Sequence, residues 1–190
     1  MSSEEAAAAV VPGVHLNGVV VRGEARARAL QNRRLGASVL SRWPTKLPED
    51  LAVSAVLMDE EAVLAAREGW LSITGPPVGV SDARQRVFEA LWQRGWWLTP
   101  ALKFAGDFLV YQRHPDQVHS SYIVIVRDRH ESIPILDIIS ICRLGTAVNK
   151  AILLASCDGS EVRFSTLRWH PKASNPPRGT DDKDAVGADS

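Results

Sequence analysis

Three side chains in the second half of the chain suit one kind of chemistry when taken together: the phenol of Tyr111, the imidazole of His119 and the ammonium of Lys150. Each is predicted at the terminus of an extended segment, where a rigid scaffold can aim a side chain. Tyr111 closes the run FAGDFLVY, His119 opens HSSYIVIV, and Lys150 immediately precedes AILLAS. Singly, each has a plainer explanation. A tyrosine at a strand end packs as an amphipathic group, a lone histidine belongs to the surface, and the lysine is a solvated strand end. As a set, they supply what attack of a ribose 2′-hydroxyl on its own phosphodiester requires. That reaction needs a base for the hydroxyl, an acid for the departing 5′-oxygen and positive charge beside the phosphorane. A free phenol is a poor base near neutral pH unless a cation stands beside it, so the lysine matters as much as the tyrosine.

The elements that must position these residues can be read from periodicity and breakers. SDARQRVFEALWQRGW, from residue 81, predicts a helix with the stripe Val87, Phe88, Leu91 and Trp92, ended by Gly95. Residues 104–111 and 119–126 read as strands rich in β-branched and aromatic residues. Residues 135–142 fit a buried helix or a strand equally, and 143–150 read as helix. Residues 151–156 read as a buried strand, and 161–169 as its return across an Asp158-Gly159 turn. Upstream, Asn17-Gly18 predicts a hairpin over 14–21, and 24–35 a helix closed by Gly36. Residues 51–58 and 70–74 read as strands, flanking a helix capped by Asp59.

Gly75-Pro76-Pro77-Val78-Gly79 interrupts the pattern. The expected organisation is a flexible leader over 1–13, an N-terminal α/β domain over 14–75, a Pro/Gly linker over 76–80, a second domain over 81–170 and a disordered tail over 171–190. Helices alternating with short strands give an α/β (α+β) fold class.

Composition excludes several alternatives. With 190 residues, 45% hydrophobic and 23% charged, the chain can bury a core. Lysine plus arginine and aspartate plus glutamate both number 22, so no global polyanion-binding signature exists. Only residues 81–170 are basic, with eleven cations against nine acids, so any RNA face depends on individual placement. Two cysteines, Cys142 and Cys157, exclude a disulfide scaffold and a four-cysteine zinc site, fit a reducing compartment, and read as small apolar groups. No apolar run nears the ~18 residues of a membrane span, and the acidic start lacks a secretory n-region. No cofactor or metal is expected. Asp107 has no second carboxylate near it in sequence and is expected to make a structural hydrogen bond, whereas metal-dependent nucleases gather two or three acids. His114 is expected at the surface, and one of Trp96 and Trp97 in the core.

The stretch RVFEALWQRGWWLTPALKFAGDFLVYQRHPDQVHSSYIVIV, followed by RLGTAVNKAILLAS and FSTLRW, resembles the tRNA-splicing endonuclease family over roughly residues 86–169. GDFLVY and RLGTAVNK are most similar to the eukaryotic catalytic subunit that cuts the 3′ splice site. The resemblance implies a restriction-endonuclease-like catalytic domain with Tyr111 as general base, His119 as general acid and Lys150 as stabiliser of the phosphorane. It implies products with a 2′,3′-cyclic phosphate and a 5′-hydroxyl. Arg143, at the head of RLGT, and Trp169, at the end of the last strand, would hold an intron nucleotide between flat faces, a contact worth roughly 1–3 kcal/mol per base. For Trp169 a place in the core is the alternative. Expected partners are intron-containing pre-tRNA, a second catalytic subunit and two structural subunits, in the nucleus. The competing expectations are a subunit for the 5′ splice site and a structural RNA-binding subunit.

Overall fold

Strands whose residues are apolar on both sides end up between two layers, and the second half of this chain is built on that rule. In the computed structural model, which describes residues 10–12, 19–36, 53–74, 79–159 and 161–169, a five-stranded sheet runs β5-β6-β7-β8-β9. Its strands are β5 (Trp97–Pro100), β6 (Phe108–Tyr111), β7 (Tyr122–Asp128), β8 (Ala151–Asp158) and β9 (Glu161–Leu167). β6 and β7 are antiparallel, β7 and β8 parallel, and β8 and β9 form a hairpin. The parallel step needs a crossover, which α4 (Ile135–Ala147) supplies over one face.

Helix α3 (Asp82–Gln93) covers the other face and buries Val87, Phe88 and Leu91, the stripe its spacing predicts. Ser81 caps it, its Oγ accepting from the Arg84 N–H at 3.4 Å. The N-terminal elements are β1 (Val10–Pro12), β2 (Val19–Arg22), α1 (Glu24–Gln31), β3 (Val53–Leu57), α2 (Asp59–Arg67) and β4 (Ser72–Thr74). β1 pairs with β4 in parallel and β2 with β3 antiparallel. One buried cluster runs from Val21, Leu35 and Leu57 through Phe88 to Phe108 and Val124, so both sides of the predicted linker share a core. No described helix is long and apolar enough to cross a membrane.

Several expectations need correction. Val10–Pro12, inside the expected leader, forms a strand, because its partner Ser72–Thr74 lies sixty residues away where local pattern is blind. The first arm and turn of the expected 14–21 hairpin lie outside the described residues, as does the 171–190 tail; the second arm pairs with β3. Met58, not Asp59, occupies the N-cap of α2: the Glu61 carboxylate reaches back to the Met58 N–H at 2.8 Å, the acid half of a capping box. Residues 135–147 are one helix, its C-terminal turn resolving the ambiguity of Ile138-Ile139. β5 was not expected as a strand; Pro100 and the Trp pair obscure it, and pairing with β6 creates it.

Candidate active site

Sheet topology decides where the chemistry-bearing residues meet. Because β6 is antiparallel and β8 parallel to β7, the C-terminal end of β6 and the N-terminal ends of β7 and β8 share one end of the sheet. Val110 pairs with Tyr122, and Tyr122 with Ala151. The backbone ties this end together. The Ser121 N–H donates to Val110 O at 2.9 Å, and the Ala151 N–H to Ser121 O at 3.1 Å. Tyr111, His119 and Lys150 each stand within two residues of that line. Neighbouring strands lie about 4.8 Å apart, so the backbones carrying Tyr111 and Lys150 are separated by about 10 Å, a gap that two long side chains and a phosphodiester can fill.

Alternation along the strands settles the face. Tyr111 packs with Leu109, Ile123 and Ile152 in the smaller of two hydrophobic clusters, the one covered by α4. Its ring is half-buried and its Oη accepts from Thr99 Oγ1 at 3.3 Å. Lys150 is aimed by three contacts: its N–H donates to Gly145 O at 2.8 Å, its Nζ donates to Ser120 O at 3.2 Å, and Nζ lies 5.9 Å from the centre of the Phe104 ring. The ammonium therefore sits against the carbonyl of the residue after His119. His119 itself is exposed, and the segment carrying it is irregular: β7 begins at Tyr122, three residues later than the sequence pattern suggests. Ser120 is buried.

Two glycines of the motif explain themselves by contact. A Cβ on Gly145 would stand 2.7 Å from Lys150 O and 3.0 Å from Ile152 Cδ1, so only glycine lets α4 approach the start of β8. A Cβ on Gly106 would stand 2.5 Å from Ile123 Cγ2. Asp107 has the structural duty expected of it: Oδ2 accepts from the Val126 N–H at 2.6 Å, while Oδ1 pairs with Arg84 Nη1. Arg84 Nε also meets the buried Glu60 at 2.8 Å, linking α2, α3 and β6.

Arg143 and Trp169 come together. The Arg143 guanidinium lies 4.9 Å from the centre of the Trp169 ring, Arg143 exposed and Trp169 half-buried against the smaller cluster. β9 ends at Leu167, so Trp169 lies just beyond the strand rather than at its last position. Leu167 pairs with Ile152, and continuing that register brings Trp169 to the same end of the sheet as Lys150. The charge that an apolar helix segment leaves on Arg143 is accommodated by solvent and by a π face.

Other residues fall outside this end or act as support. His114 is half-buried, its ring edge-on to Trp97 at 4.7 Å and its Nδ1 accepting from the Asp116 N–H at 3.3 Å. Trp96 packs against Tyr122, with ring centres 5.5 Å apart, beside the larger cluster. Cys142 is buried and Cys157 half-buried, and burial pushes both thiols above their ordinary range. Among the described residues no three His, Cys, Asp or Glu side chains are grouped to hold a metal ion. Thr99 also touches the phenol; its one signal in the sequence is the Thr-Pro pair, which favours extended backbone at the threonine.

Residues 82–164 match the family model of the tRNA intron endonuclease, catalytic C-terminal domain. The tRNA-splicing endonuclease subunit Sen34 of Mus musculus is 41% identical over 90 residues, covering 46% of this chain and 28% of the relative. The human Sen34 subunit is 40% identical over 90 residues, 29% of its length. The tRNA-splicing endonuclease of Hyperthermus butylicus is 35% identical over 86 residues, 44% of this chain and 48% of the relative. The chain thus spans under a third of the length of its mammalian relatives and about half that of the archaeal one.

Proposed function

From the premise that residues 82–164 are a tRNA intron endonuclease catalytic domain, we propose that this chain is a catalytic subunit of a tRNA-splicing endonuclease, cutting pre-tRNA at the 3′ splice site. The observation that supports the proposal is that the backbone positions of Tyr111, His119 and Lys150 share one hydrogen-bonded end of the sheet. In this reading the 2′-hydroxyl of the intron-boundary nucleotide loses its proton to Tyr111 and its oxygen attacks the adjacent phosphorus. The P–O5′ bond breaks, and His119, exposed at the same end of the sheet, delivers the proton to the 5′-oxygen. Lys150 stands beside the phosphorane, where charge develops. The products are a 2′,3′-cyclic phosphate and a 5′-hydroxyl, with no step that calls for a metal. Arg143 and Trp169 offer flat faces for an unstacked base near the cut.

Likeness to the mammalian Sen34 subunits supports a subunit of a tRNA-splicing endonuclease; the 3′ assignment, and partners consisting of a second catalytic subunit and two structural ones, rest on the resemblance of GDFLVY and RLGTAVNK. The test is co-expression of the chain, wild type or His119→Ala, with those partners and intron-containing pre-tRNA in EDTA. One cut is expected to disappear, by about 10²–10⁴-fold for loss of a general acid, while the other persists. If the lost cut is at the 5′ site, the subunit assignment is reversed. If both cuts survive, the chain is a structural RNA-binding subunit.

A further inference from the structure

The Tyr111 phenol oxygen has a hydroxyl aimed at it from the neighbouring strand. Thr99 Oγ1 donates to Tyr111 Oη at 3.3 Å, and both side chains are half-buried. The contact follows from register. Trp97 stands opposite Tyr111 and Thr99 opposite Leu109, so Thr99 shares the face of Tyr111 at a diagonal position that an aromatic ring reaches. Two local features hold the hydroxyl in place. Pro100 disfavours helical backbone at the residue before it, and a β-branched side chain has few χ1 choices.

We infer that Thr99 is a positioning residue for the reactive phenol, its O–H fixing the Tyr111 oxygen from the β5 side. The inference rests on the reading of Tyr111 as general base. An aromatic ring on the last residue of a strand is anchored at Cβ only; its oxygen, far from the backbone, swings most. A donor at that oxygen pins it, leaving a lone pair for the substrate hydroxyl, and catalysis by proximity is sensitive to such displacement.

Thr99→Val keeps the shape and removes the donor, whereas Thr99→Ser keeps the donor. In the full assembly, single-turnover cleavage is expected to fall about tenfold in Thr99→Val, the scale of one hydrogen bond, with pre-tRNA affinity unchanged. Thr99→Ser restores most of the rate, and Thr99→Val adds nothing to Tyr111→Phe. A second readout needs no activity. The chain has two tyrosines, Tyr111 and Tyr122, so tyrosine labelled with ¹³C at Cζ gives two signals, assigned by Tyr111→Phe. The Tyr111 signal moves in Thr99→Val and stays in Thr99→Ser. Normal cleavage in Tyr111→Phe sinks the reading of Tyr111 as base and this role with it. Normal cleavage in Thr99→Val, or an unmoved Tyr111 signal, overturns the positioning role alone.

Discussion

The two faces of the five-stranded sheet are covered to different depths. On the α3 face, Phe88, Leu98, Phe108, Val110 and Val124 are buried in a cluster that continues into the N-terminal elements through Leu57 and Leu35. On the α4 face the buried set is small, and it is fringed by half-buried Phe104, Tyr111 and Trp169. Even the start of α4 is open, Ile135 being 66% and Leu136 70% exposed. Under the proposed function the site has two requirements that compete: its side chains must meet a large polyanion, and their backbones must not move. Here the requirements are divided between faces. The thick side immobilises the strands, and the thin side presents what their ends carry.

The largest effect that can break this division is a cavity on the thick side. Phe88 is fully buried, its ring centre 6.0 Å from that of Phe108. Phe88→Ala is expected to cost about 3–5 kcal/mol. Because the cluster spans α2, α3 and the sheet, the loss should appear in a single urea transition seen alike by N-terminal and C-terminal probes. Two separated transitions would show that the N-terminal elements fold apart from the sheet, and that α3 alone makes the thick cover.

A gentler perturbation of the same side is pH. Glu61 is 2% exposed, with Oε1 accepting from the Gly36 N–H and Oε2 from the Met58 N–H, both at 2.8 Å. Burial pushes its carboxyl up to about 8; the Met58 and Gly36 donors pull the other way, and Glu60 adds to the rise. The folded chain therefore keeps a proton that the unfolded chain releases near 4.5. The contribution is fully present below that value and is lost as pH rises towards about 8. Thermal unfolding across this interval should show stability falling with pH, and Glu61→Gln should flatten the slope. Stability that rises with pH instead would mean the two N–H donors hold an ionised carboxylate.

The same contrast explains what could be read from the sequence. Strands β7, β8 and β9 were legible because runs such as YIVIV and AILLAS have few alternatives to a pleated, buried segment. The placement of the candidate residues was legible because strand ends carry them: Tyr111 ends β6, Lys150 precedes β8, and the glycine of RLGT lets α4 approach that strand. What stayed hidden depends on distant partners. Trp97–Pro100 is a strand only against β6, Val10–Pro12 only against β4, and Met58 is an N-cap only because Glu61 is buried behind it. Thr99 escaped notice for the same reason, since nothing local announces that its hydroxyl faces a phenol.

The smallest expected change in stability, and the most informative about the thin side, comes from Arg143→Ala. The guanidinium is exposed and its contact in the structure is the Trp169 ring, 4.9 Å away. An exposed cation–π contact contributes about 0.5–1 kcal/mol, so the melting temperature should barely shift and assembly should be intact. If the pair holds a base of the RNA, single-turnover cleavage should nevertheless slow by about tenfold or more, since base stacking is worth roughly 1–3 kcal/mol. A rate loss without a stability loss is what a side chain presented to the ligand produces. A rate unchanged beside a measurable loss of stability would instead make Arg143 a brace for Trp169, and would extend the structural role of the thick face to the end of α4.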